Sequence, residues 1–338
     1  MFMDDTIVEV KSLKKYFPIR SGFWKRTTGY VKAVDDVNLY VRHGETLGLV
    51  GESGCGKTTL GRCILRAIDP TDGSVVFNVD GDKAVDVVTM EERDIRPFRK
   101  NMQMIFQDPY SSLDPRMTIL DIIGEPLTVN KMLTRRQLID RVEELMEIVG
   151  LDRKYLRRYP HAFSGGQRQR IGIARALATN PKFIVCDEAV SALDVSVRAQ
   201  ILNLLLDLQE RFKLSYLFIS HDLSVVHHVS HRVSVMYVGK IVETAKTDEL
   251  YRNPKHPYTE ALLSAIPRPN PHVKMQRIIL PGEVANPADP PPGCYFHPRC
   301  RFAQDICSKE IPEFREIEKD HYVACHLAEQ LMLQGVEI

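Results

Sequence analysis

The sequence predicts an α/β protein in which helices cover a mostly parallel sheet. From Thr6 to about Val242, short β-rich runs alternate with helical patterns. A glycine-rich loop joins the buried-strand run "TLGLV" to the helical run "KTTLGRCILRAI". A later apolar run, "KFIVCDE", is predicted to be a strand that ends in acidic residues. Alternation of this kind is typical of parallel sheets.

The remaining elements follow in chain order. The runs "SVVFNV", "NMQMIF" and "SYLFIS" are predicted to be strands. The stretch "TRRQLIDRVEELMEIVG" predicts an amphipathic helix with a capping box of Thr134 and Gln137, and Gly150 ends it. Another helix is predicted from Val195 to Arg211. The sequence contains no internal repeats.

Length and charge narrow the class of protein. A chain of 338 residues fits about two domains. Its 45 Lys and Arg residues against 44 Asp and Glu residues give a formal charge of +1, which predicts no nucleic-acid partner. The chain has no apolar run near the roughly 18 residues of a membrane span and no secretory signal at its start. We therefore expect it to stay in the cytosol.

The composition changes near Pro267. The stretch from Pro267 to Gly293 is rich in proline, which excludes a regular helix or a central strand. It predicts an extended arm that leads to a group of cysteines. We therefore expect two domains, residues 1–245 and residues 246–338.

The stretch "GESGCGKT" predicts a site for nucleotide phosphates. It matches G-x-x-x-x-G-K-[ST] directly after a strand and before a helix, a context that disfavours a glycine turn that binds nothing. Its glycines let backbone N–H groups surround the β-phosphate, Lys57 bridges the β and γ oxygens, and the Thr58 hydroxyl can bind Mg²⁺. The predicted contacts are Gly51, Glu52, Ser53, Gly54, Cys55, Gly56, Lys57, Thr58 and Thr59.

Two further stretches predict functional residues. In "FIVCDE", Asp187 ends the strand and can hold Mg²⁺ through water, whereas strand alternation directs Glu188 elsewhere, as a candidate to polarise the attacking water. In "AFSGGQRQRIGIARALA", Ser164 can cap a helix, so N–H groups and the positive end of the helix dipole would face an anion. The first loop is better suited to hold a phosphate, so the residues alone leave open whose phosphate this second site would bind.

The order of the motifs resembles the ATP-binding cassette ATPases. It comprises "GESGCGKT", "FQDP", "FSGGQRQR", "FIVCDE", "SALD" and "ISHD", within roughly Ile7 to Glu243. The resemblance implies a P-loop NTPase cassette with a RecA-like core, an antiparallel β subdomain and a helical subdomain, using ATP and Mg²⁺. The remaining third resembles the ATPase subunits of oligopeptide and dipeptide importers, through "NPKHPYTEALLSAIP" and its cysteine pattern.

The resemblance implies a role for each motif. Two cassettes face each other head to tail, so Ser164, Gly165, Gly166 and Gln167 would contact the nucleotide of the partner subunit. Glu188 would be the general base, Gln107 would bind Mg²⁺ and sense the attacking water, and His221 would contact the γ-phosphate. Asp194 would couple the two sites at the subunit boundary. Tyr16 or Phe17 would stack on adenine. Ala162 and Ala189 depart from the residues usual in this family.

Four cysteines crowd into the last fifty residues of the chain. Cys294, Cys300, Cys307 and Cys325 are spaced C-x5-C-x6-C, and 17 residues separate the third cysteine from the fourth. Zinc sites prefer closer pairs, so zinc fits poorly, and disulfides or free thiols remain alternatives. The resemblance to peptide importers implies a [4Fe–4S] cluster, which would fold a small C-terminal cysteine-rich module. A redox-sensing role also remains open.

Together, these features predict the ATPase subunit of an importer for di- and oligopeptides. The expected partners are a second cassette, two transmembrane permease subunits and, indirectly, an extracytoplasmic solute-binding protein. We expect the second cassette to be a different chain in preference to a second copy of this one. The chain would lie on the cytoplasmic face of the membrane, attached through the permease. The alternatives are import of nickel or a sugar derivative, a soluble ABC ATPase of DNA repair or translation, and a redox-regulated binding protein.

Overall fold

The computed structural model describes residues 5–22, 26–79, 84–267 and 277–336. Its strands, in chain order, are β1 (Thr6–Ser21), β2 (Arg26–Arg42), β3 (Thr46–Val50), β4 (Asp72–Asn78), β5 (Ala84–Asp86), β6 (Met102–Ile105), β7 (Phe183–Asp187), β8 (Ser215–Ile219), β9 (Arg232–Tyr237), β10 (Lys240–Lys246), β11 (Arg315–Glu318) and β12 (His321–Val323). Its helices are α1 (Lys57–Ile64), α2 (Glu92–Phe98), α3 (Ile119–Val129), α4 (Arg135–Ile148), α5 (Gly165–Leu177), α6 (Val195–Phe212), α7 (Leu223–Val229), α8 (Thr247–Arg252) and α9 (Pro257–Ser264).

The chain forms two compact units, each assembled from several segments. The first unit comprises Met1–Val8, Val41–Glu45 and Phe77–Ile219. The second comprises Glu9–Tyr40, Thr46–Val76 and Ser220–Ile338.

In the first unit, β6, β7 and β8 form a parallel run with β7 in the middle. Val185 of β7 pairs with Met104 of β6 and with Leu217 of β8. Every residue of β7 and β8 is buried, as expected for parallel strands covered on both faces. Helices α3, α4 and α5 pack against one another, and α4 begins with the predicted capping box. The prediction of parallel strands and helices is confirmed for this unit.

In the second unit, the pairing is mixed. β3 pairs with β9 in parallel, whereas β9, β10, β12 and β11 pair successively in antiparallel fashion. The turn between β9 and β10 has φ of 40° at Val238 and 79° at Gly239, as two-residue hairpins require. The resemblance implied an antiparallel β subdomain, but the residue patterns did not predict these four strands individually. β11 and β12 are only 4 and 3 residues long, too short for a clear period.

The proline-rich arm has the irregular backbone that its composition predicts. Residues 277–293, the described part of the arm, contain neither helix nor strand, as predicted. The stretch "RSGFWKRTTGY", residues 20–30, includes the end of β1 and the start of β2, and its residues 23–25 lie outside the described part of the chain. Among the described residues, no helix has both the length and the apolar character needed to cross a bilayer.

Candidate functional site

The loop that follows β3 has the conformation of a phosphate-binding loop. Gly51 has φ of 152° and Gly56 has φ of 110°, values that favour glycine. A Cβ atom on Gly51 would lie 2.1 Å from the carbonyl oxygen of Met236, and one on Gly56 would lie 2.0 Å from that of Ala33. Glycine is therefore required at both positions by backbone conformation and by space.

Lys57, the first residue of α1, extends back over this loop. Its Nζ donates hydrogen bonds to the carbonyl oxygens of Gly51, at 2.8 Å, and Glu52, at 2.9 Å. The side chain is only 6% exposed. Gly56 precedes the helix without a capping side chain, so no side chain at this position competes with an anion for the first N–H groups of α1. The ammonium group and the start of the helix thus present positive charge to the loop.

In the first unit, the structure brings Gln107 and Glu188 together. Asp187 is the last residue of β7 and is 2% exposed. Glu188 follows with φ of 47°, a left-handed conformation that costs about 1 kcal/mol in a residue with a Cβ atom and is frequent at functional sites. Its carboxylate Oε2 accepts a hydrogen bond of 2.8 Å from Nε2 of Gln107. This bond uses the amide nitrogen of Gln107, so the amide oxygen is the atom suited to bind a hard cation.

The "SGGQ" stretch forms the start of α5, as predicted. The exposed Ser164 caps the helix, since its Oγ accepts the N–H of Gln167 at 3.3 Å while Gln167 Oε1 accepts the N–H of Ser164 at 3.1 Å. A Cβ atom on Gly166 would lie 2.4 Å from Cγ1 of Val197, so this glycine allows α5 to approach α6 closely. Gly165 has more space, with Leu193 as its nearest neighbour at 3.7 Å.

Asp194 has a structural role that the sequence analysis missed. It caps α6 by accepting hydrogen bonds from the N–H of Val197, at 2.9 Å, and the hydroxyl of Ser196, at 3.0 Å. The backbone N–H of Val197 lowers the pKa of this carboxyl below its usual value, so it caps as an anion. A polar residue three positions before the sequence "VRAQIL" is a recognisable capping signal.

Three other candidate residues lie in the second unit. His221 is exposed and precedes Asp222, which caps α7 by accepting the N–H groups of Ser224 and Val225. Tyr16 donates its hydroxyl to Oδ1 of Asp35. Phe17 follows Tyr16 on β1, and 37% of its surface is exposed. The phenol of Tyr16 is therefore committed to Asp35, whereas Phe17 keeps an accessible ring.

The four C-terminal cysteines line one small pocket. Its other walls include His256, Phe296 and Leu327. The seven cysteines all lie in the described part of the chain, and none of them forms a disulfide. Burial raises the pKa of Cys294 to about 11 and that of Cys325 to about 12, and the charges of the neighbouring cysteines act in the same direction. Among the described residues, no three of these sulfur atoms lie within 4.8 Å of one another.

Two conserved family profiles match this chain in succession. The profile described as "ABC transporter" matches residues 34–191, which contain the phosphate loop and the stretch from Ser164 to Gln167. The profile described as "Oligopeptide/dipeptide transporter, C-terminal region" matches residues 242–307, which contain three of the four cysteines. The two matches together cover the phosphate loop, the "SGGQ" stretch and residues 242–307 of the C-terminal third, whereas "ISHD" lies between them.

Similar proteins span nearly the whole chain. The oligopeptide transport ATP-binding protein AppF of Bacillus subtilis is 55% identical over 96% of this chain and 98% of its own length. The probable peptide ABC transporter ATP-binding protein y4tS of Sinorhizobium fredii is 50% identical over 96% of this chain and 91% of its own.

Solved structures share the fold. The ATP-binding cassette MJ0796, a dimer in a post-hydrolysis state with ADP and Pi, matches with a TM-score of 0.62 and 27% identity, over 71% of this chain and 99% of that chain. The match confirms the predicted cassette fold. Because the full-length relatives are 50% identical or more, the protein belongs to the ABC transporter family, among its oligopeptide/dipeptide transporter ATP-binding proteins.

Proposed function

We propose that this chain is the ATP-hydrolysing subunit of an ABC importer for di- and oligopeptides. The observation that supports this function most directly is the 55% identity to an oligopeptide transport ATP-binding protein, which extends through the C-terminal region. ATP is hydrolysed to ADP and phosphate, and the reaction drives uptake of the peptide. The proposed domains are a nucleotide-binding domain of residues 1–245 and a C-terminal extension of residues 246–338.

The phosphate loop binds the nucleotide in this proposal. Lys57 exchanges its two carbonyl partners, Gly51 and Glu52, for phosphate oxygens, which are stronger acceptors because they carry charge. The hydroxyl of Thr58 is the proposed Mg²⁺ ligand in this loop. The remaining loop residues, Ser53, Gly54, Cys55, Gly56 and Thr59, contribute backbone or hydroxyl groups. Phe17 and Tyr16 remain the candidates to stack on adenine.

The hydrolytic residues are proposed from their motifs and local geometry. Glu188 takes a proton from the attacking water, and Gln107 holds its carboxylate through the 2.8 Å hydrogen bond. The amide oxygen of Gln107 and the carboxylate of Asp187 are the proposed groups for Mg²⁺, which neutralises charge on the phosphates. His221 stabilises the γ-phosphate.

A second cassette completes the reaction centre in this proposal. Ser164, Gly165, Gly166 and Gln167 act on the nucleotide that the partner cassette binds, and Asp194 lies at the subunit boundary. The exposed, capped start of α5 supports this role because its dipole favours an anion. The related cassette MJ0796 is a dimer, which also supports it. A different chain is the favoured partner cassette, and two permease subunits hold the pair at the cytoplasmic face of the membrane and receive peptide from an extracytoplasmic binding protein.

The transport function can be tested with a variant of Lys57. In cells that lack this chain, wild type is expected to restore uptake of a radiolabelled pentapeptide, whereas Lys57→Ala should leave uptake at background because the phosphates lose their charged partner. Lys100→Ala removes an exposed lysine and should restore uptake fully. Restored uptake of nickel or a sugar derivative, with no change in peptide uptake, would contradict the peptide assignment.

We also propose that the cysteine pocket holds a [4Fe–4S] cluster. Four thiols line one pocket, and the raised pKa values of Cys294, Cys300 and Cys325 mean that their thiolates need a positively charged partner such as iron. Thiolates are the usual ligands of such clusters. Bound there, the cluster would link loops that have little regular structure around them.

Iron content tests the cluster. Anaerobically purified wild type is expected to contain about four iron atoms and four sulfides per chain and to absorb visible light. Cys300→Ser should lose most of this iron, whereas Cys63→Ala, a change at a buried cysteine of α1, should keep it. A colourless, iron-free wild-type protein would refute the proposal.

A further inference from the structure

The phosphate loop is held by the C-terminal third of the chain. Arg299 Nη1 donates to Oε2 of Glu52 at 2.8 Å, and Nη2 donates to Oε1 at 3.2 Å. The hydroxyl of Tyr258 accepts the backbone N–H of Glu52 at 2.9 Å. With Lys57 on its carbonyl oxygen, Glu52 has its carboxylate, its N–H and its C=O all engaged.

The contact between Arg299 and Glu52 has the geometry of a strong ion pair. It is bidentate, and such pairs combine charge with fixed direction. The Arg299 side chain is only 8% exposed and that of Glu52 is 29% exposed, so water screens the pair less than it would a surface pair. The loss of either partner would leave the other poorly solvated, and the loop would lose its side-chain attachment to the C-terminal third.

The position of Arg299 depends on the cysteines around it. It ends a short 3₁₀ turn, and its N–H donates to the carbonyl of Phe296 at 3.0 Å, while Cys300 is the next residue. Cys294, at the start of this stretch, donates its N–H to the carbonyl of Cys307 at 2.8 Å. Phe296 packs against Tyr258, with ring centroids 5.4 Å apart. The cysteine segment, residues 294–325, therefore sets where the guanidinium lies.

We propose that Arg299 is a positioning residue for ATP binding. Through Arg299, the conformation of the cysteine segment sets the affinity of the phosphate loop for nucleotide. The inference rests on the proposed function of this loop. When the pair with Glu52 is intact, the loop stays in its binding conformation. When the pair is lost, the loop populates other conformations, and the apparent affinity falls in proportion to the competent fraction.

The first test is a double-mutant cycle on the full-length chain. Arg299→Gln is expected to weaken binding of methylanthraniloyl-ATP about tenfold, which corresponds to a competent fraction of about one tenth. Glu52→Gln should weaken binding by a similar factor. The double variant should bind no more weakly than either single variant, because both substitutions remove the same contact between Arg299 and Glu52. Arg299→Lys keeps the charge without the bidentate geometry and should give an intermediate loss.

Arg301→Gln is the matched control. Arg301 lies on the other side of Cys300 and donates to Oε2 of Glu260 at 2.8 Å, a contact that does not involve the loop. The nucleotide affinity of Arg301→Gln should match that of wild type. In the assembled transporter, Arg299→Gln should raise the KM for ATP about tenfold and leave kcat within about twofold, since saturating nucleotide restores the competent loop. If Arg299 only stabilised the fold, Arg299→Gln would instead lower thermal stability without raising KM at nearly constant kcat.

The second test connects the cysteines to the loop. Cys300→Ser should weaken methylanthraniloyl-ATP binding in the wild-type background and add nothing in the Arg299→Gln background. Equal binding by Arg299→Gln and wild type, or independent effects of Cys300→Ser and Arg299→Gln, would overturn the inference. If Lys57→Ala also binds nucleotide like wild type, the proposed site itself fails. If only Lys57→Ala loses binding, the site stands and this inference alone is wrong.

Discussion

Glu188→Gln is expected to lower ATP turnover by at least about a hundredfold and to leave ATP binding intact. A neutral amide cannot accept the proton of the attacking water, and general-base catalysis contributes a factor of this size or more. The amide keeps the size of the side chain and an oxygen that can still accept the 2.8 Å hydrogen bond from Gln107. The local geometry should therefore survive while the proton acceptor is lost.

Single-turnover hydrolysis and size-exclusion chromatography with ATP check this expectation. The variant should accumulate as an ATP-bound closed pair of cassettes, because closure needs binding and not hydrolysis. Glu210→Gln makes the same chemical change at an exposed position of α6 and should hydrolyse ATP at the wild-type rate. Wild-type turnover by Glu188→Gln would rule out its assignment as the base.

Local patterns made much of the fold and of the site predictable. The apolar run before Asp187 and the capping signals at Thr134 and Ser164 depend on nearby residues only, and the structure contains each of them. The direction of the Glu188 side chain has a cause other than the one used to predict it. Strand alternation was the argument for its direction, but its φ of 47° turns the backbone out of the strand, so the left-handed conformation decides where the carboxylate lies.

Contacts between distant parts of the chain were not predictable. Glu52 and Arg299 are 247 residues apart, and neither the loop motif nor the cysteine spacing indicates a partner for the other. The hydroxyl of Tyr16 is similarly committed to Asp35, which also accepts the hydroxyl of Tyr295, 260 residues further on. Such pairings depend on how the strands and the C-terminal segment fold together, and the sequence pattern carries no period or spacing for that.

Ser164→Asp is expected to abolish ATP-driven pairing of the cassettes and to lower turnover by at least about a hundredfold. Aspartate caps a helix as well as serine does, so α5 should still begin at Gly165. Its negative charge, however, would face the γ-phosphate of the nucleotide in the partner. Two unit charges about 4 Å apart repel by about 4 kcal/mol at an effective dielectric constant of 20, roughly a thousandfold in an equilibrium constant.

Ser164→Asn separates charge from size in this test, because asparagine also caps and has the same shape as aspartate without its charge. It should pair and hydrolyse ATP much closer to wild type than Ser164→Asp does. Both variants should bind methylanthraniloyl-ATP normally as isolated chains, since the phosphate loop of each chain is unchanged. If Ser164→Asp paired and hydrolysed ATP normally, α5 could not face a phosphate of the partner's nucleotide. A loss of nucleotide binding by the isolated Ser164→Asp chain would place Ser164 at the nucleotide of its own subunit instead.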